Sequence, residues 1–167
     1  ETSEVVTDDF ESYTPWATDD FGEWTSVYGE KGVARGPFSR SYPHPNEGKR
    51  FAFTLVEPAS WLTDKVMEEY TCLRPHSGGR YLASFYSVEN SQFIVADNWL
   101  ISPSLPGKEQ VVTFWANNFK SSTLNYPENI ELLYSKAGTT IADFIPTSTK
   151  VIVDGGVWKQ YSATLPE

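Results

Sequence analysis

Residues 111–116 read Val-Val-Thr-Phe-Trp-Ala, and this stretch decides the fold class. In an extended chain Val111, Thr113 and Trp115 share one face, and the three residues between them share the other. β-Branched and aromatic residues are the types that fit a pleated sheet best. The stretch therefore predicts a β-strand.

Segments of the same kind recur along the whole chain. Strands are expected at residues 24–28, 51–56, 81–88, 98–101, 111–116, 130–135, 150–153 and 158–163. Eleven Gly and eleven Pro interrupt the chain too often for long helices. Residues 60–70 are expected to form one or two helical turns or else a loop insertion, and residues 140–144 another short turn. We therefore predict an all-β fold, a jelly-roll β-sandwich of two antiparallel sheets with long loops.

The length and composition predict one domain. The chain has 167 residues, 40% of them hydrophobic and 15% aromatic, which is enough for one compact core. No internal repeat or low-complexity linker divides it, so a single domain over residues 1–167 is expected. Two irregular stretches, residues 29–50 and 117–128, are long for connections within a domain and are predicted to be functional loops.

The net charge excludes some partners. Acidic residues outnumber basic ones by 22 to 13, which gives a net charge of −9. This charge repels a phosphate backbone and an anionic membrane surface, so nucleic acid is not an expected partner. No segment approaches the roughly 18 apolar residues that span a bilayer, and no direct membrane insertion is expected. The acidity leaves two interpretations open: solubility alone, or carboxylates gathered around a cation such as calcium.

Cys72 is the only cysteine, so no internal disulfide supports the fold. A domain of this size without cystines is expected to be either cytosolic or exported by a bacterium. The sequence begins at Glu1 instead of Met, and we expect it to be a mature or trimmed chain from which targeting information was removed.

Enzyme motifs are missing from the sequence. It has no Gly-x-Ser-x-Gly elbow, no His-Glu-x-x-His, no phosphate-binding loop and no dinucleotide-binding glycine pattern. His44 and His76 are the only histidines, and His44, which lies between two prolines, is expected to be a solvated loop residue. We predict that the protein is not an enzyme. A glycosidase-like pair of carboxylates stays open, because such a pair has no characteristic sequence spacing.

Acidic residues near the start of the chain are candidates for a metal site. Asp9 and Glu11 lie two positions apart, so in a strand they would point to the same side. An acid facing a Gly-rich loop, such as residues 76–79, could supply part of the oxygen shell that calcium requires. The alternative is a solvated acidic face.

Aromatic residues outside the expected strands are candidates for ligand contacts. Sugars stack on exposed aromatic rings, and protein partners use the same residues at hot spots. The candidates are Trp16, Tyr42, Trp61, Phe119 and Tyr126. The residues that lie in expected strands and are predicted to belong to the core are Trp24, Trp99, Trp115 and Trp158.

Six short segments occur in a distinctive order. They are residues 9–12 (DFES), 76–79 (HSGG), 81–83 (YLA), 97–103 (DNWLISP), 112–116 (VTFWA) and 158–161 (WKQY). In this order they resemble the cleaved-adhesin and choice-of-anchor J domains of Bacteroidetes surface proteins. Gingipain adhesin modules belong to this group, and MAM domains are distantly similar. The resemblance covers nearly the whole chain, from Val5 to Leu165.

The resemblance implies a fold, a location and a function. It implies a jelly roll that is secreted or held at the outer-membrane surface of a bacterium, as part of a larger polypeptide. It implies a non-catalytic adhesive module whose partner is a host or environmental protein or a glycan. Family members continue past the WKQY strand into one or two further strands and an acidic pair, which are expected to be missing here.

The resemblance also implies a cofactor. Several family members hold structural calcium, and carried over to this sequence the site is a partial cage formed by Asp9, Glu11, Ser77 and Gly78.

Three functional hypotheses follow. The first is the adhesin-like binding module. The second is a carbohydrate-binding module attached to a polysaccharide-processing system. The third, a glycosidase-like hydrolase, needs two carboxylates about 5–10 Å apart in one cleft.

Overall fold

The predicted all-β class is confirmed. A computed structural model of the chain describes residues 5–29 and 31–167. Strands make up 35% of the chain and helices 9%. The strand pairings within the described ranges are all antiparallel. The jelly-roll connectivity stays a prediction.

Eleven strands and one short α-helix lie in the described part of the chain. The strands are β1 (Thr25–Tyr28), β2 (Val33–Arg35), β3 (Thr54–Val56), β4 (Tyr81–Ala83), β5 (Tyr86–Glu89), β6 (Gln92–Phe93), β7 (Asn98–Ile101), β8 (Gln110–Ala116), β9 (Glu128–Tyr134), β10 (Ile145–Val153) and β11 (Lys159–Leu165). The helix is α1 (Asp64–Glu69), and 3₁₀ turns occur at Pro58–Ser60, Thr71–Leu73 and Ile141–Asp143. Within the described ranges, no helix has the length and apolar character needed to cross a membrane.

The chain divides into two compact units. Unit 1 comprises Glu1–Thr63 and Ser77–Pro103, and unit 2 comprises Asp64–His76 and Ser104–Glu167. Whether the two units form one domain, as expected from the sequence, stays a prediction.

Unit 1 contains three small sheets around a dense core. The sheets have the strand orders β1–β7, β2–β5–β6 and β3–β4. Leu55 and Val56 of β3 are completely buried, as is Phe21. The buried hydroxyl of Thr54 donates to the Ala17 carbonyl (3.0 Å) and accepts from Asn46 Nδ2 (2.9 Å), so β3 is buried without an unpaired side-chain polar group.

Unit 2 is built on two antiparallel strand pairs. β8 and β11 pair without interruption, from Gln110 opposite Leu165 to Ala116 opposite Lys159. β9 and β10 pair with a shift in register between Pro146 and Lys150. The alternation predicted for residues 111–116 is confirmed, because exposed and half-buried residues alternate along β8.

Two predicted strands are shorter in the structure. Residues 81–88 form β4 and β5 with a break at Ser84 and Phe85, and only Thr54–Val56 of residues 51–56 is extended and paired. β2 was missed, since its three residues lie between Gly32 and Gly36 and are too few to show an alternating pattern.

Candidate functional site

Glu11 lies against the loop formed by residues 77–80, at one of the places where the sequence predicts a site. Its Oε1 atom accepts hydrogen bonds from the backbone N–H groups of Gly79 (3.0 Å) and Arg80 (2.9 Å). Gly78 has φ +58°, and a side chain at this position would collide with the Glu11 carboxylate. The glycine is therefore required both by its backbone conformation and by the close approach of Glu11.

The guanidinium group of Arg80 adds further hydrogen bonds between the two segments. Its Nη1 atom donates to the carbonyl oxygens of Glu11 (2.6 Å) and Tyr13 (2.8 Å), and its Nε atom donates to Glu57 Oε1 (3.1 Å). We call this set of bonds between Glu11 and residues 78–80 the Glu11 clasp. It joins chain segments that are almost 70 positions apart.

The donors around Glu11 Oε1 explain its position without a cation. Backbone N–H groups stabilise a carboxylate by donating hydrogen bonds to it. A calcium ion at Glu11 would need further oxygen ligands around it, not N–H donors. Asp9 Oδ1 accepts from the Glu11 backbone N–H (3.0 Å), so this oxygen closes a local turn. Within the described ranges, no three His, Cys, Asp or Glu side chains are grouped to hold a metal. The calcium cage of Asp9, Glu11, Ser77 and Gly78 stays a prediction, with Glu11 Oε2, which makes none of these bonds, as the oxygen left to a cation.

Asp8 precedes the two predicted metal ligands Asp9 and Glu11 and accepts three hydrogen bonds from its surroundings. Its carboxylate accepts from the Phe10 backbone N–H (2.8 Å), Trp24 Nε1 (2.8 Å) and the Tyr13 hydroxyl (2.5 Å). The hydrogen bond to Asp8 raises the pKa of Tyr13 to about 12. Asp8 therefore fixes the chain that leads into the Glu11 clasp.

Three of the five predicted ligand aromatics meet in unit 1. Trp16 and Trp61 pack edge to face with ring centroids 5.8 Å apart. Their indole N–H groups are used internally, by Ser60 Oγ (2.9 Å) and by the carbonyl of Tyr42 (2.8 Å) respectively. The two half-buried tryptophans therefore support the loop, and Tyr42, which is 40% exposed, is the member of the three that faces solvent.

His44 lies at the centre of this aromatic group, and the prediction that it is a solvated residue is wrong. Its side chain is completely buried. The ring stacks on Phe85 (4.3 Å, 12°) and lies parallel to Trp16 (6.1 Å, 5°). The rings that bury His44 are distant from it in sequence, whereas the two neighbouring prolines had indicated an exposed loop.

Burial favours the neutral form of His44. Nδ1 accepts from the Asn46 backbone N–H (3.2 Å), and Nε2 lies 3.2 Å from Glu47 Oε2. Burial lowers the pKa of His44, the Glu47 carboxylate opposes this shift, and Lys49 adds to it.

A surface of aromatic rings continues outward from this group. Phe38 packs against Tyr42 with ring centroids 6.2 Å apart, and Tyr86 packs against Phe93 at 5.3 Å. Tyr86 and the segment 36–41 line a shallow depression of about 290 Å³. We call Phe38, Tyr42, Tyr86 and Phe93 the Tyr42–Phe93 patch.

Of the four patch residues, the sequence indicated only Tyr42 as a ligand residue. Tyr86 was hidden inside a predicted continuous strand, and Phe93 was assigned to no element. The available signal was the Asn90-Ser91 pair, which has positive φ values in the structure and turns β5 into β6.

The remaining two predicted aromatics lie in unit 2. Phe119 stacks on Tyr70 (6.0 Å) and is half-buried, whereas Tyr126 is 53% exposed. The buried amide of Asn118 holds this loop, because its Nδ2 donates to the Tyr126 carbonyl (2.9 Å) and its Oδ1 accepts from the Gly156 N–H (3.0 Å). Three of the five candidates thus belong to unit 1 and two to unit 2.

Cys72 is placed as a structural residue. Its Sγ atom lies 3.2 Å from the Lys120 carbonyl oxygen and 3.4 Å from the Lys120 backbone nitrogen. Burial raises the pKa of the Cys72 thiol. A nucleophilic cysteine needs the opposite shift, because the thiolate is the reactive form.

Comparison with protein-family models, with curated proteins and with solved structures finds no match to this chain. The resemblance to cleaved-adhesin domains therefore stays a prediction that depends on the segments quoted above.

We expect the stability of the protein to decrease as the pH falls below about 6.5, the ordinary pKa of histidine. The pKa of His44 is lowered in the folded state, so the unfolded chain takes up a proton at a higher pH than the folded one does, and acid favours unfolding. The measurement is the free energy of unfolding in denaturant between about pH 7.5 and pH 5.

The control is His76→Gln, which removes the other histidine and leaves His44 in place. The pH dependence persists in this control and weakens in His44→Gln. Equal pH dependence in the wild type and in His44→Gln contradicts the expectation.

Proposed function

We propose that this protein is a non-catalytic, adhesin-like module that binds partner proteins through the Tyr42–Phe93 patch. The observation that carries the proposal is the exposure of aromatic rings in this patch. Tyr42 is 40% exposed, Tyr86 44% and Phe93 79%. Aromatic side chains exposed together are the residues that protein interfaces use as anchors.

The shape of the patch favours a macromolecular partner. The depression beside Tyr86 is shallow and lies at the lower limit of the volumes that enclose small ligands. An open surface with rings standing on it suits a partner with its own complementary surface.

Internal hydrogen bonds keep the patch in place. The Tyr42 backbone N–H donates to the Phe38 carbonyl (2.7 Å), and Ser39 Oγ donates to the Gly36 carbonyl (2.7 Å). Trp61 Nε1 holds the Tyr42 carbonyl from below. A surface already ordered before binding loses less conformational entropy when the partner arrives.

The location and the parent protein are proposed from the resemblance alone. A cleaved-adhesin domain would be carried on a larger polypeptide at the surface of a Bacteroidetes-type bacterium, where host or environmental proteins and glycans are its partners. The net charge of −9 argues against nucleic acid as a partner.

We expect the patch to dominate protein binding. The experiment screens the immobilised chain against purified host extracellular proteins by surface plasmon resonance and repeats the positive pairs with Tyr42→Ala and Phe93→Ala. Loss of a hot-spot aromatic costs about 2 kcal/mol or more, which weakens binding by about thirtyfold.

The matched control is Ile152→Ala, which truncates a 67% exposed apolar residue in unit 2 and should leave binding unchanged. Binding that survives both Tyr42→Ala and Phe93→Ala, or a screen with no partner tighter than about 100 μM, contradicts the proposal.

The calcium prediction has its own test. If Glu11 Oε2 and its neighbours bind the ion only in the folded state, calcium raises the thermal midpoint relative to EGTA. At a hundredfold excess of calcium over the dissociation constant, the free energy of unfolding increases by about 2.7 kcal/mol. Glu11→Gln should abolish this shift, whereas Glu109→Gln, at an exposed site in unit 2, should retain it. A midpoint that is the same in calcium and in EGTA would contradict the prediction of a calcium site.

A further inference from the structure

The exposed face of the β8–β11 pair carries six side chains and no charge. Three cross-strand pairs form it, and the register places them opposite one another as Trp115 with Gln160, Thr113 with Ser162, and Val111 with Thr164. All six residues are exposed. In a chain with 35 charged residues, 13 basic and 22 acidic, such a face lacks the lysines and glutamates that usually cover a solvated sheet.

Trp115 is the dominant feature of this face, and its assignment to the core is wrong. It is 45% exposed. The His76 ring stacks on it with centroids 4.0 Å apart and planes 24° from parallel. His76 also lies 6.0 Å from the ring of Trp158, whose Nε1 donates to the Arg74 carbonyl (2.8 Å). Residues 74–76 thus support the indole and fix its orientation while much of it stays open to solvent.

The polar groups beside Trp115 are available to a ligand. Thr113, Gln160, Ser162 and Thr164 offer hydroxyl and amide groups that both donate and accept. Within the described part of the chain, the side chains of these four residues have no hydrogen-bond partner. The face therefore combines one large ring with a row of neutral hydrogen-bonding groups.

The dimensions of the face suit a short chain of rings. Alternate residues of a strand are about 6.8 Å apart and neighbouring strands about 4.8 Å, so the three pairs cover a strip about 14 Å long and one ring wide. The apolar C–H face of a sugar ring can stack on the indole while its hydroxyls reach the side chains along the strip.

We propose that this face binds an uncharged oligosaccharide, with Trp115 as the stacking platform. A charged polysaccharide would find no ion-pairing partner among the six residues and would, if acidic, be repelled by the net charge of −9. Each polar side chain of the face that a partner covers needs a hydrogen-bond partner. A sugar chain presents a hydroxyl at nearly every position, whereas a protein partner would have to supply a separate polar group for each. This site shares no residue with the Tyr42–Phe93 patch.

The experiment titrates the whole chain by calorimetry with hexasaccharides of β-1,4-glucose, β-1,4-xylose, β-1,4-mannose and α-1,4-glucose, and with a hexamer of galacturonate as the charged comparator. At least one uncharged hexasaccharide binds with a dissociation constant below about 1 mM, and galacturonate does not bind. Trp115→Ala weakens binding at least tenfold, Trp115→Tyr restores part of it, and Gln160→Ala weakens it several-fold.

Two controls separate the site from general effects. Ile152→Ala removes an exposed apolar residue from β10 of the same unit and leaves sugar binding unchanged. Thermal unfolding of Trp115→Ala shows whether it is folded, and the exposed Gln160→Ala, which removes only an amide, tests the face again if it is not.

Several results would overturn the proposal. One is that no uncharged hexasaccharide binds with a dissociation constant below about 1 mM, and another is affinity that Trp115→Ala leaves intact. Self-association of the wild type in sedimentation velocity that Trp115→Ala abolishes would assign the face to a second copy of the chain. Sugar binding lost in Tyr42→Ala but not in Trp115→Ala would place the glycan site on the Tyr42–Phe93 patch.

Discussion

The reciprocal hydrogen bonds between Glu11 and Arg80 are the interaction on which unit 1 depends. The carboxylate of Glu11 accepts from two successive backbone N–H groups, and the guanidinium of Arg80 donates to the backbone carbonyl oxygens of Glu11 and Tyr13. Residues 5–16 contain no strand, so ladder bonds do not hold this segment. The charge-assisted bonds of the Glu11 clasp take over that role, and Gly78 is required because the carboxylate approaches its α-carbon closely.

The consequences of the clasp extend to the proposed protein-binding patch. The segment that it holds leads to Trp16, which has φ +65°, donates its backbone N–H to Leu55 and accepts from Asn46 Nδ2 (2.8 Å) at its carbonyl. Trp16 then packs against His44 and Trp61, and Trp61 holds the carbonyl of Tyr42. The exposed rings are thus the outer end of a continuous series of contacts that begins at Glu11. Displacing this segment should therefore disorder Tyr42 even though Tyr42 itself is unchanged.

The sequence predicted the positions of the strands more accurately than it predicted which side chains are buried. The alternation in residues 111–116 predicted a strand and its two faces, because side chains two apart must share a face. It could not show which face is covered, since Phe114 and Trp115 give each face an aromatic ring, and Trp115 was assigned to the wrong environment. His44 was misplaced for a related reason, because the rings that bury it come from positions 16, 61 and 85. Calcium chemistry suggested an acid facing the Gly-rich loop, but only the resemblance assigned Glu11 to it, as no spacing rule joins residues 68 positions apart.

Hydrogen exchange of the Gly79 and Arg80 amides measures whether the Glu11 carboxylate holds residues 78–80 in solution. If the Glu11 carboxylate holds both N–H groups, they are protected in the wild type, and Glu11→Ala accelerates their exchange at least tenfold, since a hydrogen bond to a charged group contributes about 1.5–3 kcal/mol. The amides of β8 and β11, in unit 2, should exchange at unchanged rates in the same sample. Gly79 and Arg80 amides that exchange equally fast with and without the Glu11 side chain would contradict the account.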